Sequence, residues 1–97
     1  MASSDIQQNL AEHGLSVEDY DVDLDMNAAE GIAVGDHVEC VEDFEDHGVF
    51  AGDEGEVLAF YHQGPSMFGG EQGIFAVVKF DGMDPTGVPA RCLEALA

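Results

Sequence analysis

Positive charge is almost missing from this chain. One lysine, Lys79, and one arginine, Arg91, stand against 21 acids in 97 residues, for a formal net charge of −19. Such a surface has almost nothing with which to neutralise phosphates, so direct binding to DNA or RNA is not expected. Tryptophan is absent, and the two cysteines, Cys40 and Cys92, are too few for the disulfide framework of a secreted mini-domain. No apolar run exceeds the five residues of Ile74 to Val78, against the ~20 that a membrane-crossing helix needs. The start, M-A-S-S-D-I-Q-Q, lacks the positive region of a secretory signal. The expectation is a cytoplasmic protein with no membrane contact.

What is present allows one compact domain. The apolar fraction is 45%, ordinary for a globular chain. The acids oppose compaction at low ionic strength, and salt relieves that repulsion within a screening length of about 8 Å. Three readings of the charge stand side by side: adaptation to a salt-rich, halophilic environment, a surface built to meet a basic partner, and imitation of a nucleic-acid backbone.

Residues 1–33 form an acidic N-terminal extension with eight carboxylates and no Lys or Arg. Ser4-Asp5-Ile6-Gln7 has the spacing of a capping box. Ile6, Leu10 and His13 share one face of a short helix over about 4–13, which Gly14 would stop. Next, Asp19-Tyr20-Asp21-Val22-Asp23-Leu24-Asp25-Met26 alternates acid and apolar strictly, predicting an extended arm over 19–26. It reads either as an edge strand on the domain body or as an arm that folds on a partner. A calcium site fits poorly, because same-face carboxylates on a strand lie in a row, about 7 Å apart, instead of converging. Asn27 to Ala33 reads as a linker.

From residue 34 the pattern becomes that of short strands. Gly48-Val49-Phe50-Ala51-Gly52-Asp53-Glu54-Gly55-Glu56-Val57 places glycines at 48, 52 and 55 around an aromatic and a β-branched residue. Such glycines supply positive φ or let two backbones pass closely. A strand is expected at His37–Val41 with Val38 and Cys40 inward, then others at Gly55–Tyr61 and Ile74–Phe80. Asp81-Gly82 is a turn. Between the second and third strands lies a glycine-rich loop of twelve residues, His62 to Gly73, with Met67 and Phe68 near its tip. Those two side chains are either folded back or offered to a partner. Phe44, within the acidic run Glu42-Asp43-Phe44-Glu45-Asp46, is likewise either a core plug or an exposed anchor.

The strand, Gly-rich loop and strand over 35–57 resemble the KOW motif, with G-x-F-x-G-x-x-G-x-V matched at all ten positions. Gly87-Val88-Pro89 and the following residues are similar to the end of an SH3 barrel, where one 3₁₀ turn leads to a last strand that pairs back on the first. The resemblance covers 34–96 and implies a mainly β fold, a five-stranded SH3-like barrel over 34–97 carrying the acidic extension. It further implies that Cys40 and Cys92 lie on pairing strands, as buried thiols, a reversible bridge or metal ligands. Small barrels of this kind contact polymerases and other proteins or serve as accessory subunits of redox enzymes. Polyproline binding is not supported, since no Trp is present and Cys92 stands where such domains carry tyrosine.

No catalytic, metal or cofactor-binding residue is assigned, because no nucleophile elbow, phosphate loop or paired ligand spacing occurs. The chain is expected to be a non-catalytic interaction module or accessory subunit that binds a larger, basic protein surface. Met67, Phe68 and Phe44 would serve as apolar anchors, rimmed by Glu42, Asp43, Glu45 and Asp46 and by Asp19, Asp21, Asp23 and Asp25. Two other readings are an acidic nucleic-acid mimic that inhibits a DNA- or RNA-binding protein, and a small subunit of a redox or hydratase enzyme.

Overall fold

The computed structural model describes residues 3–64 and 72–96. Helix α1, Ser3–Glu12, forms because Ile6 and Leu10 fall one turn apart on a single face, and both are fully buried. It stops where the sequence predicted. Gly14 takes φ +75, with Leu15 N–H bonded to Leu10 C=O and Gly14 N–H to Ala11 C=O. That is the Schellman pairing, which satisfies the helix's last carbonyls.

The expected extended arm over 19–26 does not form. Val17–Tyr20 makes a four-residue helix, α2, entered at Ser16, whose backbone N–H donates to Asp19 Oδ2 at 2.9 Å. Asp21 then adopts left-handed φ +52, and the chain continues through turns, with a single antiparallel bridge between Val22 and Tyr61. The alternation still sorts the side chains: Tyr20, Val22, Leu24 and Met26 lie inward, while Asp19, Asp21 and Asp25 are exposed. Burial by turns has replaced burial by pleat. Asn27 to Ala33, expected as a linker, instead contains a minimal hairpin of β1, Ala28–Ala29, and β2, Ile32–Ala33. Glu30 and Gly31 at its tip both take positive φ, the geometry that matches the twist of paired strands.

The main sheet has five antiparallel strands: β3 His37–Cys40, β4 Glu54–Gln63, β5 Gly73–Phe80, β6 Thr86–Pro89 and β7 Leu93–Ala95. Their order is β6-β5-β4-β3-β7. The last strand does pair back on the first, Cys40 opposite Leu93 and Val38 opposite Ala95, after one 3₁₀ turn at Ala90–Cys92. Among the described residues no ladder joins β6 to β7, so the sheet keeps two edges.

The glycines act as expected. Gly48 and Gly52 take φ +71 and +97. Gly55 instead answers a close approach, because a Cβ there would meet the Lys79 carbonyl oxygen and lie 2.7 Å from Phe80 Cα.

Strand β4 is the spine. A register shift between Val57 and Ala59 marks a bulge at Leu58, and all five residues from Val57 to Tyr61 are buried. A strand buried at successive positions is covered on both faces. The leader supplies part of that cover, since α1 packs on β4, and Ile6, Leu10, Val22 and Ile32 belong to the same core as Phe60, Val77 and Phe80. It also satisfies backbone beyond the reach of β3. Asp23 N–H donates to Phe60 C=O at 2.8 Å, and between the extension and β3 Gly35 N–H donates to Val57 C=O at 2.8 Å. An edge that would otherwise present open donors and acceptors is thereby occupied.

Candidate interaction surface

Between β3 and β4 the chain doubles back as a hairpin held almost wholly by its own backbone. Phe44 and Val49 exchange two hydrogen bonds, Gly52 N–H donates to Cys40 C=O at 2.8 Å, and Cys40 N–H donates to Asp53 C=O at 2.8 Å. Carboxylates brace the tip. Asp43 Oδ1 accepts from Ala51 N–H at 2.8 Å, and Asp53 Oδ2 from Phe50 N–H at 2.9 Å. A 3₁₀ turn, Glu45–His47, completes the loop and is closed by Gly48 in left-handed φ.

This scaffold sorts its apolar residues sharply. Val49 is fully buried and Phe44 half-buried, whereas Val41 and Phe50 are 43% and 47% exposed. Phe44 lines a shallow depression of about 330 Å³ with Asp43, Glu45 and His47. It is therefore part plug and part floor. Phe50 was legible in the sequence only as a member of the glycine motif. Its exposure comes from the backbone turn that those glycines permit, which no periodicity announces.

Glu42 is the most engaged of the hairpin's acids. Its Oε1 accepts from Arg91 Nη1 at 3.0 Å and its Oε2 from the Cys92 thiol at 3.2 Å. These two bonds, the thiol's first and the guanidinium's second, hold the carboxyl below its ordinary range. Cys40 donates to the Glu42 carbonyl at 3.0 Å. Burial pushes the Cys40 thiol up, and the nearby carboxylates of Asp53, Glu42 and Asp43 add to that. Both cysteines are fully buried, and they form no disulfide. A buried thiol with a raised pKa is a poor nucleophile, so Cys40 serves as core.

The remaining sequence-predicted residues divide between two places. Asp43, Glu45 and Asp46 join Glu42 on the hairpin. Asp19, Asp21, Asp23 and Asp25 sit by the far half of β4, where Asp23 Oδ2 lies 3.5 Å from His62 Nε2 and Asp23 Oδ1 accepts from Asp25 N–H. From Glu54 to Phe60 the strand advances about 20 Å, so the two acid runs do not form one rim. Met67 and Phe68 lie outside the described residues. His37 pairs with Glu54 at 3.1 Å, and His47 Nδ1 faces Thr86 Oγ1 at 3.4 Å. Among the described residues no three metal-ligating side chains converge, and no helix is long and apolar enough to cross a membrane.

Comparison with protein-family models, with curated proteins and with solved structures returned no match.

Proposed function

We propose that this chain is a non-catalytic interaction module or accessory subunit, a cytoplasmic SH3-like barrel that docks on a larger, basic protein surface. The observation that carries this reading is the pairing of exposed Phe50 and Val41 with exposed Glu42, Asp43 and Glu45 on one braced hairpin. An apolar centre inside a charged rim is the anatomy of a protein-binding patch, and a net charge of −19 steers basic partners toward it. The return of the last strand onto the first, through a 3₁₀ turn, supports the barrel reading of the sheet.

Imitation of a nucleic-acid backbone would need a regular row of carboxylates, and the aspartates of 19–25 are the stretch whose spacing in the sequence offers one. A helical turn and a left-handed residue now interrupt that row, so nothing specific favours it over the basic-partner reading.

Affinity capture from native lysate, at low and at molar salt, tests the proposal. A basic protein recovered at low salt and released at high salt is the expected result. Recovery of no basic partner sinks it, and displacement of the captured protein by duplex DNA would replace it with mimicry.

A further inference from the structure

We infer that the hairpin between β3 and β4 seats an arginine-rich protein segment around one bulky apolar side chain. Phe50 would be the apolar floor, and Asp43 and Glu45 the carboxylate rim. This assignment rests on the interaction-module reading and names its ligand chemistry.

Two of the three large apolar side chains that stand well exposed among the described residues, Val41 and Phe50, are on this hairpin. Phe50 is held outward by a fixed backbone. Its own N–H is tied to Asp53, Ala51 N–H to Asp43, and Gly52 N–H to the Cys40 carbonyl. Little ordering is left to be done on binding, which favours affinity.

Charge decides the occupant. A second copy would bring this acidic face against another chain of net charge −19, and anionic lipid or nucleic acid would be repelled in the same way. A cationic segment is attracted.

The chain's own arginine already sits against this hairpin. Arg91 places Nη1 3.0 Å from Glu42 Oε1, beside Val41 in sequence and next to the Cys92 thiol. A guanidinium is planar, matches a carboxylate with two donors and stacks on an aromatic face, none of which an ammonium does as well. Asp43 spends one oxygen on Ala51 N–H, and a carboxylate has about four acceptor sites. Capacity for a second donor therefore remains. The ligand is thus a short segment in which arginines flank an apolar residue.

Fluorescence anisotropy with a labelled peptide of four arginines around one central leucine tests this at low salt. Phe50→Ala is expected to weaken binding about tenfold, the scale of an interface anchor. Replacing the peptide's leucine by glycine should cost the same factor and make binding indifferent to Phe50→Ala. The pair Asp43→Asn/Glu45→Gln should weaken it several-fold and flatten its salt dependence. The isoelectric control Glu12→Gln/Glu18→Gln, on α1 and α2, should change it by less than about twofold. Thermal melts verify that each variant is folded, and Phe50→Gln, which removes the apolar ring but keeps a long side chain, takes the place of the alanine variant should that melt early. Equal weakening by both double variants, or no response to either Phe50 variant, overturns the assignment. So does failure of the wild type to bind the peptide. If lysate capture still yields a basic protein in that case, the module reading survives without this hairpin as its surface.

Discussion

Two stretches of similar length, Gly48–Val57 and Asp19–Met26, are the most strongly patterned in this chain, and the structure treats them differently. In the first, the backbone follows the sequence residue by residue. Gly48 and Gly52 take the left-handed φ that other side chains resist, and Gly55 lets β4 run against the Lys79–Phe80 backbone. In the second, alternation predicted a strand and the chain made a helical turn, a left-handed aspartate and one isolated bridge. A steric requirement names a conformation. Amphipathic alternation names only which side chains must leave water, and more than one backbone path does that.

Breaking the first stretch should have the largest effect. Gly55→Ala drives a Cβ into the Lys79 carbonyl, where the obstacle is backbone and cannot rotate away. A loss of more than about 3 kcal/mol is expected in urea denaturation, enough to leave much of a marginal domain unfolded. An alanine variant as stable as the parent would mean that the strands do not approach as closely as described.

The second stretch is tested through the helix that precedes it. If the leader were a separate appendage, Leu10→Ala would leave the melt of the sheet untouched. Leu10 is fully buried in the common core, so the substitution should destabilise the whole domain by about 2–4 kcal/mol, in one cooperative transition.

A smaller effect reads the joint between the two regions. Tyr61 bridges to Val22, and its ring stands 5.4 Å from Tyr20 and 5.5 Å from Phe75. Burial, with a lesser contribution from Tyr20, raises its pKa to about 12. A raised pKa means that the folded state holds the proton more tightly than the unfolded chain does. That stabilisation is complete below the unfolded value near 10 and declines as pH climbs from there through about 12, by about 3 kcal/mol in all. Tyr61→Phe should remove this alkaline slope in denaturation curves recorded across that interval. A slope unchanged in the phenylalanine variant would assign the effect to another group.

Much of the sheet was legible because its signals were local and steric. The strands at 37–40, 54–63 and 73–80 follow from alternating or β-branched runs bounded by glycine, while the 3₁₀ turn before β7 was implied by the resemblance of Gly87-Val88-Pro89 to the end of an SH3 barrel. The inward placement of Val38 and Cys40 follows from period two. The β1–β2 hairpin was not legible, since Glu30-Gly31 is a weak turn signal and two-residue strands carry no periodicity. The candidate surface was half legible. Glu42, Asp43, Phe44 and Glu45 were named from an acidic run around an aromatic, but Phe50 hid inside a motif that reads as structural.

By itself the chain's order of residues determined the charge, the glycine-set bends and the set of side chains that must be buried, because those depend on a residue and its near neighbours. Tertiary packing alone decided that the leader covers β4 beyond the end of its pairing with β3, and that Glu42 gathers Arg91 and Cys92 from 49 and 50 residues away. Both outcomes depend on distant segments meeting an open backbone edge or a carboxylate in the folded chain, and no local pattern encodes that.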